Sequence, residues 1–185
     1  MTPSERAIAE TKNWIINVVV GCNFCPFAAR EVKLDTIHYR VNQSTDTAEI
    51  LQSLLDECKR LDDNPDIETT LIILTQSFGD FDEYLELVDL ADQLIETEDY
   101  EGIYQVASFH PDYAFEGTTA GDASNFTNRS IYPMLHILRE ESIEQALASF
   151  PNPGSISQKN IAFAKKKGNI GMIALRNTCF IDSNA

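Results

Sequence analysis

A chain of 185 residues with 29 acidic and 14 basic side chains, formal net charge −15, is long enough for one ordinary core without disulfides or metals. It carries too little positive charge for a nucleic-acid surface, which needs a Lys/Arg patch against phosphates. The hydrophobic fraction of 43% with 23% charged residues is globular, and no apolar run approaches the roughly 18 residues that span a bilayer. Residues 1 to 20 lack signal-peptide order, since Glu5, Glu10 and Lys12 interrupt them. The expectation is a single domain over residues 1–185 in the cytoplasm, away from nucleic acid and membrane, with its four cysteines unpaired by disulfides.

In chain order, residues 2 to 20 predict a helix: Thr2 caps, Pro3 takes the first helical position, Glu5 completes a capping box and Gly21 supplies the stop. Residues 36 to 42, TIHYRVN, set Ile37, Tyr39 and Val41 against His38 and Arg40, the period of a half-buried strand. Asp46 with Glu49 opens a second helix whose stripe runs through Ile50, Leu51, Leu54, Leu55, Cys58 and Leu61. The continuous apolar centre of TTLIILTQ, 69 to 76, fits a central strand covered on both faces. Asp80 and Glu83 repeat the capping pattern before FDEYLELVDLADQLIE, and GIYQVAS at 102 to 108 makes a third strand. This order predicts an α/β domain, with a small three- or four-stranded, mostly parallel sheet covered by helices.

A loop of about twenty residues then ends at Ser130, read as a helix cap. Helices are predicted near 131 to 141, 142 to 149 and 157 to 167, broken by PNPGS at 151 to 155, and a short last strand over 170 to 181. The cluster KKKG at 165 to 168 reads as a solvated helix end.

If the three strands run one way, their carboxyl ends gather Asn42, Gln43 and Ser44, Gln76 and Ser77, and Ser108 with His110 at one rim beside the long loop, where open sheets bind ligands. Pro111 holds His110 extended at the strand exit. Asp112 and Asp122 can orient an imidazole, Asn125 and Asn128 can bind a polar ligand, and Arg129 and Ser130 can grip an anion beside a helix N-terminus. On a helix over 131 to 140, His136 would share a polar face with Tyr132, Arg139 and Glu140. The competing reading is a loop folded on its own Asx and Ser turns, with surface histidines.

Cys25 precedes Pro26 in GCNFCPFA, which suits it as a helix N-cap with a thiol activated by the helix dipole. With Cys22 it also forms a C-x-x-C that can be redox-active, part of a zinc site completed by His110 and His136, or two small side chains packed at a bend.

CPFA at 25 to 28, QVASFHPDYAFEGT at 105 to 118 and NFTNRSIYPMLHILREESIEQA at 125 to 146 together resemble an uncharacterised, mostly bacterial family catalogued as domain of unknown function 1415. The resemblance runs from the first helix to about residue 168 and implies no activity, cofactor or catalytic residue. In that family Cys22 is usually replaced by an apolar residue and Ile131 by proline, which favours Cys25 over the C-x-x-C pair. The leading expectation is a transferase- or hydrolase-type enzyme acting on an anionic small molecule. Asn125, Asn128, Arg129, Ser130 and Arg139 would hold the ligand, His110, Asp122 and His136 would provide acid–base chemistry, and Cys25 would serve as nucleophile. The alternatives are a metal-binding or thiol redox protein using His110, His136, Cys25 and Asp122, and a non-catalytic binding module.

Overall fold

The computed structural model describes residues 1–181. Thr2 and Glu5 form the predicted capping box on α1 (Pro3–Trp14), which continues as a π-helical stretch over Ile15–Val20. The wider π turn brings Gly21 so close to the preceding backbone that a Cβ there would lie 2.3 Å from the Asn17 carbonyl oxygen, so the stop at this position has to be glycine.

Past a short α2 (Ala28–Leu34), the chain alternates β1 (Ile37–Asn42), α3 (Thr47–Asp63), β2 (Thr69–Leu74), α4 (Phe81–Thr97) and β3 (Tyr104–Phe109). Both long helices start where the acidic caps predict. Asp46 accepts from the amides of Ala48 and Glu49, and Asp80 from those of Asp82 and Glu83.

β1 and β2 pair in parallel, and β3 runs in the same direction, as the order of elements implies. Between β2 and β3 lies β4 (Met134–Arg139), antiparallel to both, giving the order β1-β2-β4-β3. This strand replaces the helix expected over 131 to 141. Buried on both faces, it shows its apolar residues to both, and such a run satisfies a helical stripe equally well.

The sheet separates two cores. On one side α3 and α4 cover Ile72, Leu74, Leu135, Ile137 and Tyr104; on the other α1, the π turn and the C-terminal helix cover Leu71, Ile73 and Met134. The alternation of β1 is as predicted: His38 and Arg40 face α3 and hold the buried Glu57 carboxylate, with Arg60 completing the cage. Helix α5 (Glu140–Ala148) is followed by α6 (Ile156–Asn177). The strand expected over 170 to 181 is therefore absent: Gly168, at φ +75°, kinks α6 and the helix resumes to Asn177. Glycine tolerates that left-handed angle, so a break in the helical pattern does not end the helix there.

Candidate functional site

The long connection from β3 to β4, residues 110–133, begins with His110, which is fully buried. Its Nδ1 accepts from the Asp112 amide at 3.0 Å, and its Nε2 lies 2.9 Å from the Phe78 carbonyl oxygen. A backbone N–H can only donate and a carbonyl only accept, so the proton sits on Nε2 and both nitrogens are engaged. The ring packs against Phe81 and Tyr84 on the α4 side of the sheet, and burial pushes its pKa down. His110 is thus a neutral brace between two loops.

The other polar residues of the loop are engaged in the same way. Asn125, fully buried, accepts from the Phe115 amide and the Thr118 hydroxyl and donates to the Thr119 carbonyl. Asp122 caps a 3₁₀ turn over Ala123–Thr127 through the Ser124 amide and hydroxyl, which, with Lys165 at 3.4 Å, hold its pKa low. Asn128 donates to the Ser108 carbonyl. Ser130, buried, donates to the Tyr132 carbonyl and caps no helix, since a strand follows. Asp122 therefore does not orient His110.

Arg129 differs from these. Nearly buried, it donates from Nε to the Tyr113 carbonyl at 2.9 Å and from Nη2 to the Ala120 carbonyl at 2.8 Å. Its guanidinium lies 5.0 Å from the centre of the Phe126 ring, and that of Arg176, from the last turns of α6, lies 5.6 Å from the same ring. Arg176 donates from Nη1 to the Pro111 carbonyl, while its buried Nε has no partner. Among the described residues no carboxylate lies within 4.0 Å of either guanidinium. Desolvation lowers both pKa values; the neighbouring cation lowers that of Arg129 further, and Asp112 offsets part of this for both.

The β4 residues do not form the expected polar face. His136 points to the α1 side, where its Nε2 meets the Thr69 hydroxyl at 2.7 Å. That hydroxyl donates to the Ile137 carbonyl, so it accepts from His136. Desolvation pushes the His136 pKa down to about 4. Arg139 points to the opposite side, donating to the carbonyls of Leu61 and Ile67 where α3 ends. Tyr132 reaches Glu10 of α1 instead.

Cys25 is a partly exposed free thiol. The N-cap of α2 is Phe27, two residues beyond it, so the predicted capping role is not adopted. Cys22 and Cys25 are both free thiols. Cys22 is buried in the α1-side core, where burial raises its pKa. No three His, Cys, Asp or Glu side chains group so as to hold a metal among the described residues.

Sequence reading missed Arg176, which fell in the expected last strand. It also left unassigned a cleft of about 580 Å³ lined in part by Gln76 and Ser77, although those residues stood out as polar groups at a strand end. The family described as "Protein of unknown function (DUF1415)" matches residues 6–173. The chain belongs to that family. No curated protein and no solved structure matches it. No helix among the described residues is long and apolar enough to cross a membrane.

Proposed function

We propose that the protein binds an anionic small molecule against Arg129 and Arg176, as the substrate of a transferase- or hydrolase-type reaction. The observation that carries this reading is the pair itself: two guanidinium groups on one phenyl ring, neither paired with a carboxylate among the described residues, in a chain with about twice as many acids as bases. Keeping two like charges close together in a partly desolvated setting costs free energy, and an anion would recover it through charge-assisted hydrogen bonds. The donors left for a ligand are Nη1 of Arg129 and the Nε and Nη2 of Arg176. The negative field of the whole chain opposes anion approach, so recognition relies on short-range contacts and weakens only modestly with salt.

In this reading Asp112 takes the proton-transfer role that the sequence suggested for His110. It is exposed, and its charge acts on both guanidiniums.

Calorimetric titration of inorganic phosphate and citrate at constant ionic strength tests the proposal. Saturable binding that Arg176→Gln weakens at least tenfold is expected. Equal binding by the variant, or no binding by the wild type, would overturn it.

A further inference from the structure

The cleft of about 580 Å³ lies at the carboxyl ends of β1 and β2, between the loops that leave those strands and the first turns of α4. Its volume is in the range of small-molecule sites, and its position is where open sheets bind ligands. The two loops are tied together: the Ser77 hydroxyl donates to the Ser44 carbonyl at 2.9 Å, and the Thr75 amide to the Asn42 carbonyl at 3.2 Å.

Phe78 lines the cleft in the left-handed region, at φ 57°, a conformation that costs a bulky residue about 1 kcal/mol or more. His110, buried behind it, holds the Phe78 carbonyl in place. The brace identified above thus fixes one wall of this cleft.

The lining decides the ligand class. Leu87, Leu90 and the Phe78 side supply apolar surface, and Thr45, Thr47 and Gln76 supply hydroxyl and amide groups. Glu83 and Glu86 add two carboxylates that no cation approaches within 4.0 Å among the described residues, and no Lys, Arg or His lines the cleft. The helix amides that would otherwise attract an anion are already capped by Asp46 and Asp80.

We propose that this cleft binds a small organic amine, with the ammonium group between Glu83 and Glu86 and the apolar body against Leu87, Leu90 and Phe78. The site is separate from the arginine pair and stands or falls independently of it.

Benzylamine, benzyl alcohol and benzoate share one apolar body and differ in charge. Titrated into ¹⁵N-labelled protein, benzylamine is expected to shift the amides of residues 76–79 and 83–90 saturably. The exposed double substitution Glu83→Gln/Glu86→Gln should weaken binding at least tenfold while leaving the melting temperature unchanged. Benzyl alcohol or benzoate binding as tightly as benzylamine, non-saturating shifts, or an unaffected double variant would overturn the proposal.

Discussion

The chain leaves β2 through residues 75–80 and β3 through residues 110–133, and the two connections meet where His110 holds the Phe78 carbonyl. The shorter one keeps Gln76 and Ser77 at an open cleft. The longer one turns Asn125, Asp122 and Ser130 onto its own backbone and Asn128 onto the end of β3, and exposes little of them. A buried polar group left unpaired costs about 1–3 kcal/mol, so a long loop packed under a helix has to satisfy its own amides and carbonyls. A short loop at the surface leaves that to water. Richness in Asn, Asp and His therefore marks self-sufficiency in one loop, and the departure from it, the Arg129–Arg176 pair, marks the candidate site.

The comparison breaks most visibly at His110. His110→Ala removes a buried ring and leaves the Asp112 amide and Phe78 carbonyl without their partner, so urea unfolding should show a loss of about 3 kcal/mol. A histidine held for catalysis alone would leave stability nearly unchanged. Asn125→Ala should cost about 2 kcal/mol by the same measurement, because the buried Phe115 amide loses its partner and the Thr118 hydroxyl and Thr119 carbonyl each lose one of two. A loss near zero would mean the loop does not depend on its own Asn.

Acid separates the histidines from the carboxylates. Burial depresses the pKa values of His110 and His136, the latter to about 4, so between the ordinary value near 6.5 and about 4 the unfolded chain binds more protons. The contribution of these groups to stability is present above that window and is lost as the pH falls through it. Wild type should lose more stability from pH 7 to pH 4.5 than His136→Gln does. Parallel pH curves would contradict the neutral, buried assignment. Smallest of all, Gln76→Ala should change stability by no more than about 0.5 kcal/mol, since the side chain is exposed.

Local chemistry made much of this legible in the sequence. Asp46 and Asp80 announced α3 and α4, the alternation through Ile37, Tyr39 and Val41 gave β1 and the direction of His38, and the apolar run at 69–74 gave β2. What escaped was non-local. Met134, Leu135, Ile137 and Leu138 suit a helix or a doubly buried strand, and only pairing with β2 and β3 decides between them. That misreading placed His136 with Arg139, whereas a strand sends them to opposite faces. The same limit applied to Arg176, which reaches Arg129 only through the packing of α6 on the 3₁₀ turn. The Asx-turn reading of the long loop was available from composition and describes Asp122 correctly, whereas Asn125 ties down residues 115–119 further back in the loop.

Long-range ¹H–¹⁵N correlation of the histidine rings across a pH titration tests most directly whether the residue joining the two loops is a brace. The account predicts that His110, protonated on Nε2, titrates below pH 6.5. Titration at or above that value, or a proton on Nδ1, would contradict it.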